Sequence, residues 1–246
     1  FVSFLSVLPQ ITVTVQSFMK TKGPRFVQGF SLESYRAVIN KLENSIVNTF
    51  VMAFIALFII ILLSLLGAYL FVRRKSFRSD LIDMLLMFPY VIPGAVLGIC
   101  LTVAFNREPM LLTGSMWIII ISFVIRKLPY AMRSSIGILY QIDASVEEAS
   151  ISLGVPPMKT FFKTTVPLIM PGLISGAVLS LVSVINTLSA TLILYTGKTI
   201  TISVAVFNCI NNDAYGQAAA LSTILTATTV LCLILFNKIS GGKSIV

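Results

Sequence analysis

Histidine is absent from the 246 residues, tryptophan occurs once, and only nine side chains are acidic. Without histidine there is no side chain that titrates near neutrality unaided, and no imidazole for a metal. Charged residues make up 11% of the chain, against roughly 25% in ordinary soluble domains. So little polar surface cannot cover a water-facing globule. A disordered chain is excluded as well, because it would be rich in charge and poor in apolar residues. The three cysteines, Cys100, Cys209 and Cys232, stand alone with no Cys-x-x-Cys spacing, so neither a zinc site nor a disulfide framework is indicated. The inventory predicts no cofactor and no metal site.

What is present is apolar. Hydrophobic residues make up 57% of the sequence, and the mean hydropathy is +0.96. Crossing a hydrocarbon layer takes about 20 residues of helix. Six runs qualify as candidates, at 1–19, 45–72, 81–105, 115–135, 167–196 and 214–237. The first is diluted by Pro9, Gln10 and several Thr and Ser, and the chain opens at Phe1 with no initiator Met. Further sequence upstream is therefore expected. The fold class predicted is all-α: a polytopic membrane helix bundle of about six transmembrane helices, forming a single domain over 1–246 with its core at 44–237.

The formal net charge of +9 would suggest nucleic acid in a soluble protein. Here no basic stripe is interleaved with exposed aromatics, so the cations are read as orientation signals instead. With the first helix starting in the cytoplasm, the inner side carries Arg73, Arg74, Lys75, Arg78, Arg126, Lys127, Arg133, Lys159, Lys163, Lys238 and Lys243. The outer side carries Lys20, Lys22, Arg25, Arg36, Lys41, Arg107 and Lys198. Eleven against seven favours this topology under the positive-inside rule. The outer segment 20–43 then reads as a short surface helix around Ser31–Tyr35.

The inner segment 143–167 carries the most information. Ser145 with Glu148 three residues on has the form of a capping box. Gly154 suits the left-handed residue that ends a helix, and Pro156-Pro157 forbids continuation while Pro157 suits a new first turn. A second short helix over 157–165 would follow, stopped by Pro167. Ala149, Ser150 and Gly154 are small enough to let another backbone approach. A helix, a sharp turn and a second helix form a knob suited to docking, which a plain connector would not need.

Residues 148–167 resemble the cytoplasmic EAA loop of the permease subunits of binding-protein-dependent ABC importers. That pattern is Glu-Ala-Ala, three residues, Gly, nine residues, then Ile-x-Leu-Pro. The chain has Glu148, Ala149, Ser150 for the second Ala, Gly154, Val166 and Pro167, with Thr164 in place of Ile. The stretches 30–39, 44–50, 88–99 and 165–180 are similar to the same family, and 188–208 is most similar to its ferric-iron branch. The resemblance implies a coupling helix at 146–153 seated on a cytoplasmic ATPase, with Glu147, Glu148, Ala149, Ser150, Leu153, Gly154 and Pro167 as coupling residues. It implies a cytoplasmic ABC ATPase dimer, a second permease half and an external substrate-binding protein as partners, in a prokaryotic cell membrane. Ferric iron is the cargo it favours, with phosphonate, thiamine or polyamine as alternatives. Many iron-type permeases are double-length, so a second half of a fused permease is a further expectation.

Gly242-Lys243-Ser244 has the tail of a phosphate-binding loop, but Asn237 stands where the first glycine belongs and only two residues follow. No nucleotide site is expected, and no catalysis on this chain. Along a solute path, Pro89 and Pro93 are candidate hinges, since proline removes a helix hydrogen bond. Gly94 with Gly98 and Gly172 with Gly176 permit close helix packing. Ser180, Ser183, Thr187 and Thr191 at helical spacing, with Asn186 and Ser189 beside them, are candidates to line a passage. No ionised side chain is expected mid-span, which argues against a proton- or sodium-coupled carrier or channel. An intramembrane enzyme would need paired acids, a histidine cluster or a serine dyad.

Overall fold

The computed structural model describes residues 2–239. The Gly242-Lys243-Ser244 triplet and the inner-side Lys243 lie outside the described residues. Helix α1 (Val2–Ser17) leads into an antiparallel hairpin of β1 (Met19–Lys22) and β2 (Arg25–Phe30), with Lys22 opposite Arg25. Gly23 turns it at φ +59, where the missing Cβ removes the usual penalty. Helix α2 (Glu33–Arg73) begins three residues later and runs for 41 residues. This corrects the short surface helix expected at 31–35. No Gly or Pro occurs between Glu33 and Leu66, so nothing stops the polar start from propagating into the apolar run.

Helices α3 (Phe77–Val91) and α4 (Gly94–Ala104) are separated by Ile92 and Pro93, and α5 (Met116–Gln141) follows. Next come α6 (Ser145–Ser152), α7 (Pro157–Thr160), a π-helical turn (Phe161–Thr165) and α8 (Val166–Ile185). The last elements are α9 (Thr191–Leu194), α10 (Ile202–Asn211) and α11 (Tyr215–Ile239). Three described helical stretches are long and apolar enough to cross a membrane: Glu33–Arg73, Pro157–Ile185 and Tyr215–Phe236. The α3–α4 pair makes a fourth if its halves count as one broken span. Helix α5 is 26 residues long but carries Arg126, Lys127 and Arg133, which dilute it.

The second helix of the 143–167 segment does not stop at Pro167. The Val166 amide bonds back to the Phe161 carbonyl, a widened turn that accommodates the proline just beyond it. Nor does the next span continue to 196. It ends at Ile185, and 186–190 is non-helical. Ser180, Ser183, Thr187 and Thr191 therefore do not share one helix face, and Thr187 and Thr191 are buried.

The chain divides into two compact units. The described parts of Phe1–Ala53, Gly94–Ile119 and Ile185–Cys232 make the first. Its core gathers Val38, Ile202, Ala205, Cys209, Ala218, Ala220 and Leu221. Asn48 donates to the carbonyls of Lys198 at 2.9 Å and Ile200 at 3.2 Å. The buried Thr49 hydroxyl accepts from the Ile202 amide at 2.8 Å. These bonds satisfy the backbone where the chain re-enters helix α10.

The second unit holds Phe54–Pro93, Ile120–Val184 and the described residues from Leu233 on. Leu139, Ile169 and Leu173 form its core with Ile61, Leu65, Val72 and Ile142. Helices α5 and α8 meet through glycine. A Cβ on Gly176 would stand 2.5 Å from Ala131 Cα and 2.9 Å from the Tyr130 carbonyl. Beside it, Ser134 donates to the Gly172 carbonyl at 2.7 Å. In the second-unit part of α2, Ala56, Ile60 and Ala68 are fully buried, whereas Phe54, Phe58, Leu62, Leu66 and Leu70 are exposed at intervals of four. An apolar stripe of that length on an exposed face suits lipid and not water.

Candidate functional site

The 143–167 segment lies in the second unit. Ser145 does not cap α6. Ala144 occupies that position without a side-chain bond, and the Ser145 amide instead donates to Asp143 Oδ1 at 2.9 Å. That bond holds the Asp143 carboxyl below its ordinary range, with smaller contributions from the Ser145 hydroxyl and the Arg73 charge. Asp143 does the work expected of the Ser145–Glu148 box, because an acidic side chain two residues upstream reaches the orphan amide equally well. Glu148 is left exposed.

Glu147, one residue earlier on α6, turns inward. Arg73 at the end of α2 donates from Nε to Glu147 Oε1 at 2.9 Å, and from Nη2 to the Ile142 carbonyl at 3.0 Å. Both side chains are largely buried, 14% and 12% exposed. One guanidinium thus ties the start of α6 and the end of α5 to α2. The fork geometry is what arginine offers and lysine does not.

Gly154 ends the motif at φ +84. The Gly154 amide bonds the Ile151 carbonyl at 2.9 Å and the Val155 amide bonds the Ser150 carbonyl at 3.2 Å, a left-handed helix stop. Pro157 begins α7 as expected. Ser150 and Thr160 share a 2.9 Å hydrogen bond between hydroxyls, which folds α7 back against α6. Phe161 is buried against Tyr69, ring centroids 4.9 Å apart. Outward, the knob presents Val146, Ile151, Leu153, Met158 and Phe162, with Leu153 85% exposed. Ala149, Glu148 and Pro167 are also exposed. The arrangement is a rigid pedestal with an apolar crown and charges at its edge.

The path candidates are not brought together. Pro89 lies inside α3 without breaking it, and the break falls at Ile92-Pro93, where Ile92 is extended. Pro89, Pro93 and Ser183 belong to the second unit, Asn186 and Thr187 to the first. Asn186 donates to the Thr229 hydroxyl at 3.4 Å.

Several residues of this unit escaped the sequence reading. In the sequence Arg73 stands out only as an orientation signal, and nothing there singles out Asp143 or Thr160. Arg126 and Lys127, counted on the inner side, fall at the eleventh and twelfth positions of the 26-residue α5, which corrects the expectation that the middle of the 115–135 run carries no ionised side chain. The signal was available: Met116 to Gln141 holds no glycine but Gly137, and its one proline did not end the helix.

Residues 60–241 match the family described as the binding-protein-dependent transport system inner membrane component. The chain is 37% identical over 184 residues to the ferric transport system permease protein FbpB of Actinobacillus pleuropneumoniae, covering 75% of this chain and 27% of that one. It is 28% identical over 170 residues to the molybdate/tungstate transport system permease protein WtpB of Pyrococcus abyssi, covering 68% of this chain and 66% of that one. Among solved structures, a bacterial ABC transporter involved in import of the polysaccharide alginate superposes with a TM-score of 0.73 at 13% identity, covering 98% of this chain and 93% of that chain. That likeness is one of fold. The chain spans about a quarter of the FbpB relative it matches.

Proposed function

Since the chain belongs to the family of binding-protein-dependent transport system inner membrane components, we propose that it serves as a permease subunit of an ATP-driven importer, with ferric iron as cargo. Transport, not catalysis, is the family's role, so ATP hydrolysis falls to a partner chain. The observation that carries the reading is the knob at 145–165: a locked turn at Gly154, a buried Arg73–Glu147 pair beneath it and an apolar crown above. An exposed crown of this kind, on a pedestal built not to deform, suits seating in a groove of a cytoplasmic ATPase. Glu148, Ala149, Ser150 and Leu153 would make that contact, and Glu147, Gly154 and Pro167 would hold its shape.

In this account closure of an ATPase dimer pushes on α6, and the push reaches α2 through Arg73 and α8 through the continuous helical stretch Pro157–Ile185. A second permease half completes the path, and an external binding protein delivers cargo on the opposite side. The hinge is placed at Pro93, where the preceding Ile92 is extended, and not at Pro89, which α3 absorbs. The whole assembly sits in a prokaryotic cell membrane, with the exposed α2 stripe against lipid.

The ferric assignment rests on the 37% identity to FbpB. It is tested by uptake of radiolabelled ferric iron in cells carrying or lacking the chain, under iron limitation. Cells carrying the chain should take up ferric iron in an ATP-dependent manner, and cells lacking it should not. Uptake that is unchanged for iron but raised for phosphonate, thiamine or polyamine would move the cargo and leave the permease reading in place.

A further inference from the structure

Helix α5 carries two adjacent cations near its middle. At 1.5 Å rise per residue, Lys127 lies about 17 Å from the helix start and about 21 Å from its end. A lysine stem is far shorter than either distance, so its ammonium cannot reach a headgroup layer by extending along the helix. In a membrane helix such a charge faces a protein interior or a water-filled cavity. This step rests on the permease reading above together with the sequence run 115–135 taken as a membrane span, since α5 is not among the helices apolar enough to cross by composition alone.

The surroundings are specific. The Lys127 ammonium stands 5.9 Å from the centroid of the Tyr130 ring. Tyr130 meets Tyr90 of α3 edge to face, centroids 5.6 Å apart. The Lys127 carbonyl accepts from Ser180 of α8 at 3.0 Å, which fixes the backbone at this point. Six residues further along α5, Arg133 bonds Asp83 of α3 at 2.8 Å, so that acid is already engaged. Lys127, Arg126 and Tyr130 are half-buried, and Tyr90 is half-exposed.

We propose that Arg126, Lys127, Tyr130 and Tyr90 form a station for an oxyanion on the transport path. Two fixed positive charges in a low-dielectric setting attract an anion and repel a bare trivalent cation. Tyr90 and Tyr130 hydrogen-bond one another, and the pair keeps one phenol proton that an oxyanion can accept. Iron would therefore pass this point as an oxyanion-ligated ferric ion, not as the bare ion. A free oxyanion such as a phosphonate shares the same chemistry, and the test separates the two.

The complete importer, with its ATPase, is placed in bilayers of phosphatidylcholine alone, which removes anionic headgroups. Binding of radiolabelled inorganic phosphate is measured for the natural chain, Lys127→Gln, Lys127→Arg and Lys238→Gln. Lys127→Gln should weaken phosphate binding at least about tenfold, as loss of one partner of a charge-assisted contact does, while Lys127→Arg stays within about threefold. Lys238→Gln should leave it unchanged. Iron uptake that requires added phosphate or citrate identifies a ligated ferric ion as the cargo, and phosphonate uptake without iron identifies the free oxyanion. Equal phosphate binding by Lys127→Gln, with ATP turnover intact, overturns the proposal alone. So does phosphate that fails to bind while the cation pair retains added phosphatidylglycerol, which would make a lipid headgroup the occupant. A natural chain that never assembles with an ATPase overturns the permease reading itself.

Discussion

Gly154→Pro should abolish transport while the chain still inserts. At φ +84 the residue occupies backbone space that proline, fixed near −65°, cannot enter. Proline also removes the amide that bonds the Ile151 carbonyl. The turn between α6 and α7 would open and the crown would lose its shape. A Cβ at this position meets nothing within 4 Å, so a side chain as such is tolerated and the cost is one of backbone alone. The series is therefore graded. Gly154→Asn should retain most activity, because asparagine visits the left-handed region readily, whereas Gly154→Ala should lose stability of about 1–2 kcal/mol in the loop. Initial uptake rates across the three variants, at matched membrane abundance, check the ranking. Equal rates in all three would show that the turn does not matter.

Arg73→Gln should uncouple the loop from α2. Removing one partner of a buried ion pair leaves the other charge uncompensated, at a cost of about 3–5 kcal/mol. Since Arg73 also bonds the Ile142 carbonyl, its loss frees both the start of α6 and the end of α5. Glu147→Gln should cost less, because an amide still accepts a hydrogen bond and Arg73 keeps its second partner. The expected signature is ATP hydrolysis that persists while transport per ATP falls by more than about tenfold. The double exchange Arg73→Glu with Glu147→Arg should restore part of the ratio, although the Ile142 carbonyl then loses its donor. A ratio that stays at the natural value in Arg73→Gln would assign the pair to folding only.

Much of this was legible in the sequence, for identifiable reasons. Glycine and proline mark local backbone events, so the Gly154 stop and the Pro157 restart could be placed to the residue. The small pairs Gly94–Gly98 and Gly172–Gly176 predicted close packing, and a Cβ on Gly98, Gly172 or Gly176 would indeed strike a neighbouring helix. Other features depended on distant partners. Nothing near Arg73 in the sequence points to Glu147, 74 residues away. Nothing near Ser150 marks Thr160 as its partner except the fold of the turn between them. Proline misled at Pro167, which is absorbed within a helical segment, while the expected fifth span breaks at 186–190 without a proline. The break there coincides with Asn186, Thr187 and Ser189, polar residues that compete for backbone hydrogen bonds.

Arg126 and Lys127 show the cost of counting charges without helix ends. Counted on the inner side, they support an orientation. Within α5 they become the polar feature of a helix whose first ten residues are almost wholly apolar. Orientation then rests on the Arg73–Lys75 cluster and on the 143–167 knob, which agree.

The central claim is that the knob at 145–165 seats on an ATPase, and co-purification tests it most directly. Membranes carrying the natural chain, Glu148→Lys or Leu153→Glu are solubilised in mild detergent, and the proteins retained with each chain are identified. The account predicts an ABC ATPase held by the natural chain and lost from both variants, with all three chains equally abundant and folded. An ATPase retained equally by all three, or transport in liposomes by the natural chain without ATP, would contradict it.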